Sequence, residues 1–187
     1  MAMDTLDEIN NSPDPNEVTP YKTGLKYGII LVVVGLVFQI VVNVLGLASD
    51  PLLALVTGTI SLALTITVIL FAIRYHRDQE LGGFISFRRG LAVSFWMGIS
   101  YGAVVGIWVW FNNNILAPET NETQQRELEK IRAQVEDGEM PQEMLVYSEM
   151  IIEATSNPIL MMTMALLSIL FIGLFVSLFT KRERPLT

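Results

Sequence analysis

The chain has 187 residues, 51% of them hydrophobic, with no cysteine and a formal net charge of −7. Charge is missing from four long windows: 23 residues between Lys26 and Asp50, 23 between Asp50 and Arg74, 29 between Arg89 and Glu119, and 27 between Glu153 and Lys181. Apolar runs of about 18 residues or more read as membrane spans, which excludes a soluble enzyme, a disordered chain and a disulfide scaffold, and the acidic balance excludes a nucleic-acid binder.

Residues 1–20 hold five acids (Asp4, Asp7, Glu8, Asp14, Glu17) and no Lys or Arg. A signal peptide begins with basic residues, so the expectation is an acidic, flexible tail followed by an uncleaved span. The first span is predicted over about 22–47, with Thr19 as cap and Pro20 at the first helical position. Asp50 is placed to cap the second span, about 51–73, and Pro51 to open it. A span of 22 helical residues reaches roughly 33 Å, enough to cross a hydrocarbon core of about 30 Å. The third span is predicted over about 88–111. The fourth, about 158–180, is announced by Ser156-Asn157-Pro158, with a break at Asn157 because the residue before proline resists the α conformation. None of the windows alternates apolar with polar residues, so spanning β-strands are excluded.

The segment between spans three and four is read as a helical hairpin over about 119–156. Leu128, Ile131 and Val135 form a narrow apolar stripe. Asp137-Gly138 stops the first helix and Pro141 opens the second. Met144, Tyr147, Ile151 and Ala154 fall on one line, flanked by Leu145, Met150 and Ile152. The stripe is expected to pack against Met144, Tyr147 and Ile151. The apolar face exceeds what the first helix can cover, so Met144, Tyr147, Met150 and Ile151 are marked as a partner surface, with a lid over the membrane helices as the alternative.

Basic residues set the expected orientation. Lys22, Lys26, Arg74, Arg77, Arg88, Arg89, Lys181, Arg182 and Arg184 fall on one side of an even number of spans, and only Arg126, Lys130 and Arg132 on the other. The positive-inside rule then puts both termini in the cytoplasm and the hairpin outside.

Chemistry-bearing groups are sparse. The single histidine, His76, sits between Arg74 and Arg77 and reads as a solvated loop residue. The four windows hold no Asp, Glu, Lys, Arg or His, whereas ion-coupled carriers keep such groups at membrane depth. Six of the nine methionines lie between Met140 and Met164, but without His or Cys beside them no copper site is expected. No catalytic residue, cofactor or metal ligand is assigned.

Two patterns within the spans concern packing. Gln39 and Asn43, four apart, need partners in lipid, so their face is expected to point inward. One reading has them bonding the Thr- and Ser-rich second span (Thr57, Thr59, Ser61, Thr65, Thr67); the other makes them a site for a polar headgroup. Gly90, Ser94, Gly98, Gly102 and Gly106 repeat every four residues along span three and allow close backbone approach. Whether that contact lies within one chain or between copies stays open.

The run Arg77-Asp78-Gln79-Glu80-Leu81-Gly82-Gly83-Phe84-Ile85-Ser86-Phe87 follows a second span. An acidic outer segment and Asn157-Pro158 before a last span and a basic tail complete the layout. In this order of parts the chain resembles, over about Tyr21 to Lys181, a small bacterial inner-membrane family, domain of unknown function 4199 (DUF4199). The resemblance implies four membrane helices in a bacterial envelope and no activity. Physically, Gly82-Gly83 permits a sharp turn, Phe84, Ile85 and Phe87 suit the membrane interface, and Ser86 can cap span three. Alternatively, Arg74, Arg77, Arg88 and Arg89 make this loop a docking or anionic-lipid site.

The expected architecture is thus an all-α membrane protein: an acidic tail (1–20), a four-transmembrane-helix bundle (21–180) with an extracytoplasmic hairpin between helices three and four, and a basic tail (181–187). The expected role is a non-catalytic interaction or accessory subunit of the bacterial inner membrane, with a small transporter or a lipid- or amphiphile-binding protein as the alternative. The expected surroundings are the lipid bilayer, a protein partner at the hairpin or a second copy, and no nucleic acid.

Overall fold

Proline marks where three of the long helices of this chain begin, and a carboxylate caps one of them. In the computed structural model, which describes residues 18–47, 50–116 and 119–182, α1 runs from Pro20 to Val44 and α2 from Pro51 to Tyr75. Pro20 occupies the start of α1, but the Thr19 side chain makes no capping bond there. Asp50 does cap α2: its Oδ1 accepts from Leu52 N at 2.8 Å and Leu53 N at 3.2 Å. A π-helical turn, His76–Glu80, continues α2, so Arg74 lies within a helix rather than in a loop. Helix α3 spans Phe87–Phe111 and passes into a second π-helical turn, Asn112–Leu116. Helices α4 (Glu119–Glu136) and α5 (Gln142–Ser156) follow, and α6 covers Pro158–Thr180. The only β feature among the described residues is an isolated bridge between Ile85 and Arg182. The expected tail over 1–17, the connection at 48–49 and residues 183–187 lie outside the described residues.

Among the described residues, four helices are long and apolar enough to cross a membrane: Pro20–Val44, Leu52–Glu80, Phe87–Leu116 and Pro158–Thr180. The fold is an all-α membrane bundle. Its contacts divide it into two units, 1–101 with 166–187, and 102–165.

In the first unit the core is built where α1 begins, α2 ends, α3 begins and α6 ends. Ile69, Ile73, Leu81, Val93, Met97 and Ile169 are fully buried there. In lipid there is no apolar driving force between helices, so close packing must hold them, and glycines provide it. Gly24 and Gly28 of α1 lie against α3, where an added Cβ would come within 2.7 Å of the Val93 carbonyl oxygen and 2.6 Å of that of Met97. From α3, Gly90 faces Ser177, Ser94 faces Gly173 and Gly98 faces Leu166, all of α6.

Within the second unit Gly102 and Gly106 meet Met162 and Pro158. All five small residues of α3 therefore meet α6 of the same chain. The hairpin is α4 packed on α5. Gly138, at φ +75°, turns the chain after α4, where a residue with a Cβ would be strained. Arg132 pairs with Glu149 at 2.7 Å and Ser156 donates to Gln124 at 3.0 Å. Leu128, Ile131 and Val135 are half-buried, as are Leu145 and Ile152. The contact differs in register from the expected one. Met144, Tyr147 and Ile151 are exposed, because α5 turns its Leu145–Ile152 edge towards α4. Asn157 is extended (φ −92°, ψ 112°) and ends α5. Its Oδ1 accepts from Ile159 N at 3.0 Å and Leu160 N at 3.2 Å and so starts α6.

Candidate functional site

The densest set of polar contacts lies in the first unit, around the π-helical turn that ends α2. A π turn inserts a residue into the α repeat and re-aims the side chains that follow, and such turns are frequent at functional sites. Here it carries His76, Arg77, Asp78 and Glu80. His76 is wholly buried, which corrects its reading as a solvated loop residue. The flanking arginines are what made the segment look like a loop.

Two elements satisfy the imidazole and a third holds its carboxylate partner. Its Nδ1–H donates to Glu80 Oε2 at 2.5 Å, one turn further along. Its Nε2 accepts from Arg89 Nε of α3 at 3.4 Å. One nitrogen donating and the other accepting defines the neutral Nδ1–H tautomer. Thr23 of α1, itself buried, donates from Oγ1 to both oxygens of Glu80, at 2.9 and 2.7 Å. A threonine, a histidine and a glutamate that would each be costly to bury alone thus consume one another's hydrogen bonds.

A second knot ties the following loop to the end of α6. Arg77 grips Asp78 with two bonds, Nε to Oδ1 at 2.6 Å and a terminal nitrogen to Oδ2 at 3.0 Å. Its other terminal nitrogen donates to the Thr180 carbonyl at 3.3 Å, in the last turn of α6, where a cation meets unpaired carbonyls and the negative end of the helix dipole. Gly82 and Gly83, at φ +65° and +89°, make the sharp turn, a conformation that favours residues without a Cβ. The chain then exchanges two bonds of 2.9 Å between Ile85 and Arg182. The Arg182 guanidinium lies 5.4 Å from the Phe84 ring centre, and Lys26 lies 4.9 Å from that of Tyr75. Ile85 is buried, whereas Phe84 and Phe87 are half-buried. Ser86 precedes α3 and its carbonyl accepts from Arg89 and Gly90.

The intramembrane amides are placed differently from expectation. Gln39 donates to Asn43 at 3.3 Å and both are exposed. They do not reach α2, whose Thr57, Thr59, Thr65 and Thr67 each donate to a carbonyl three or four residues back in their own helix. That local bond satisfies the hydroxyl without a neighbour and leaves the amides to pair with each other.

Two grooves are apolar. One, about 550 Å³, lies between α2 and α6 of the first unit, with Leu62, Ile66, Phe171, Phe175 and Phe179 in its walls. The other, about 470 Å³, is in the second unit and includes Ile107, Trp110, Ile159 and Met162. Neither is lined by Gln39, Asn43 or any member of the histidine network. Among the described residues no three His, Asp or Glu side chains lie close enough together to hold a metal ion. The polar groups of this site engage each other and the backbone, an arrangement that clasps helices together.

Four apolar helices of spanning length, three of them joined through a buried polar clasp, define a multi-pass membrane protein. The family model described as "Protein of unknown function (DUF4199)" matches residues 26–180, and the chain belongs to that family. No curated protein and no solved structure matches it.

Thr23, Glu80 and the burial of His76 were missed from sequence. The available signals were the i, i+4 spacing of His76 and Glu80 and the one threonine in the first turn of a helix start that is otherwise basic, aromatic and apolar. Neither points to the other, because Thr23 and Glu80 are 57 residues apart.

Proposed function

We propose that this protein is a non-catalytic interaction or accessory subunit of the bacterial inner membrane, with both termini in the cytoplasm and the α4–α5 hairpin outside. The observation that carries the reading is the exposed apolar face of α5. Met144, Tyr147, Met150 and Ile151 are 47%, 62%, 54% and 62% exposed. They sit on a hairpin with ten acids and three basic residues between Glu119 and Glu153. Exposed methionine and tyrosine framed by charge suit protein recognition. The acidic frame selects a basic partner and makes the association sensitive to salt.

The non-catalytic part is supported by the way His76 and Glu80 are spent on each other. The transporter alternative drew on Gln39, Asn43 and the Thr-rich second span, whose threonines bond carbonyls of their own helix. Gln39 and Asn43 pair on an exposed face and line neither groove, which favours the interaction reading.

Replacing 119–154 with a short flexible Gly/Ser linker tests the reading. The four spans should still insert, since each is long enough alone. Crosslinks formed by the intact protein in native membranes should vanish. Crosslinks that survive unchanged would move the interaction to the spans or the α2–α3 loop and sink the proposal.

The orientation has its own test, made simple by the absence of native cysteine. Single cysteines at Ser12, Gln79 and Thr187 should stay shielded from an impermeant maleimide in intact spheroplasts, and cysteines at Ser49 and Gln125 should label. Labelling at Gln79 without lysis would invert the topology.

A further inference from the structure

The α2–α6 groove and the arginines at its end belong together. Its α6 wall runs through Phe171, Phe175 and Phe179. The next residue is Thr180, whose carbonyl is held by Arg77, followed by Lys181 and Arg182. On the other wall α2 runs from Leu62 and Ile66 to Arg74, in its last turn. One carboxylate, Asp78, stands among these cations. Arg77 grips it directly, and the charges of Arg74 and Arg182 act on it as well. Three guanidinium charges act on one acid, of which only Arg77 bonds it directly, so positive charge is left over beside the last turns of the two helices. Arg74 and Arg182 are exposed.

We propose that this is a binding site for one anionic phospholipid, its acyl chain in the α2–α6 groove and its headgroup phosphate on Arg74 and Arg182. The apolar walls exclude a wholly polar ligand, and the uncompensated cations select a negative headgroup at the end of the chain. Arginine matches phosphate oxygens in pairs and stays charged at every relevant pH. The groove volume of about 550 Å³ falls within the roughly 300–1,000 Å³ of small-molecule clefts. Basic pockets between membrane helices are a known means of holding anionic headgroups. The site goes beyond the hairpin reading and does not depend on it, because every residue named here lies outside the hairpin.

The test uses the full-length, delipidated protein in mild detergent, given equal amounts of dioleoyl phosphatidylglycerol and dioleoyl phosphatidylcholine and read by native mass spectrometry. The acyl chains are identical, so preference reports the headgroup. The wild type should keep one phosphatidylglycerol in preference to phosphatidylcholine. Arg74→Gln with Arg182→Gln should reduce that preference by about fivefold per guanidinium removed. Arg88→Gln removes an exposed charge that is not among those acting on Asp78, and it should leave the preference intact. An equal loss in Arg88→Gln would mean diffuse attraction to a basic surface and would overturn the site. Ile66→Trp fills the groove without touching any charge, and should lose the phosphatidylglycerol adduct. This variant decides the question if the arginine double variant does not fold. Retention of phosphatidylglycerol by Ile66→Trp at the wild-type level overturns the groove. Excess glycerol 3-phosphate should leave the adduct in place; displacement would mean that a free phosphate suffices and would equally overturn the proposal.

Discussion

A chain carrying Gly28→Leu is expected to insert its helices but fail to assemble them, whereas Gly35→Ala should melt in detergent at or slightly above the wild type. The two glycines lie two turns apart on the same helix and differ only in what they face. A Cβ added at Gly28 would overlap Ser100 Oγ and lie 2.6 Å from the Met97 carbonyl oxygen. The hydroxyl can rotate away, but the backbone oxygen cannot. Overpacking costs about 1–3 kcal/mol where side chains can adjust and more where they cannot, and a leucine here holds α1 off α3. Gly35 has nothing within 4 Å of its added Cβ, so alanine gains helix propensity of up to about 1 kcal/mol without a clash. Gly98→Leu and Gly102→Leu should behave like Gly28→Leu. Their added Cβ atoms would lie 2.7 Å from Leu166 Cδ1 and 2.8 Å from the Met162 carbonyl oxygen. Val104→Leu, at an exposed position, should be mild. The measurement is thermal melting followed by near-ultraviolet circular dichroism. Coincident melting of Gly28→Leu and wild type would mean that α1 and α3 do not pack through these residues.

Glu80→Ala is expected to be the most damaging truncation at the polar clasp. It removes the acceptor for the Nδ1–H of His76 and for the Thr23 hydroxyl together. Both donors are buried, and each buried donor left unpaired costs about 1–3 kcal/mol. A total loss of roughly 2–4 kcal/mol is therefore expected, below the simple sum because Glu80 is partly exposed and water can enter the gap. Glu80→Gln retains an acceptor oxygen and should lose far less. Thr23→Val should fall between them, since it leaves the carboxylate with its histidine. The ranking Ala, then Val at 23, then Gln is read from melting midpoints in one detergent. If Glu80→Ala melts with the wild type, the three groups do not hold the helices together.

How much of this was legible in the sequence depends on how local the cause is. The four helices could be read because a span is specified by its own residues: a charge-free run in every case, and a proline at the start of α1, α2 and α6. Asp50 caps α2 and the Gly82-Gly83 pair turns the loop for reasons contained in a few neighbouring positions. The small residues of α3 announced a close contact, yet only the fold supplies its partner, α6. His76 went astray because its surroundings are set by residues 53 and 13 positions away and by a π turn that shifts the helix register. Gln39 and Asn43 were misplaced for a complementary reason. Their partners were sought on α2, whose threonines were already satisfied within their own helix. On α5 the apolar face is broad enough to offer two edges, and helical periodicity does not choose between them.

The bridge from Ile85 to Arg182 and the bond from Arg77 to Thr180 join the loop after the second membrane helix to the end of the fourth. This sets an order in time. At a synthesis rate of about 5–20 residues per second, the ribosome needs roughly 3–14 s to travel from Phe111, where α3 ends, to Thr180. For that interval the loop has no strand to pair with, and the row from Gly90 to Gly106 has no helix to receive it. Three helices wait in the bilayer with their backbone bonds already closed and with Gly24 and Gly28 able to pack on α3, but with the row from Gly90 to Gly106 against lipid. Only the last helix completes the packing of α3, so a nascent chain interrupted before it leaves that small-residue row uncovered.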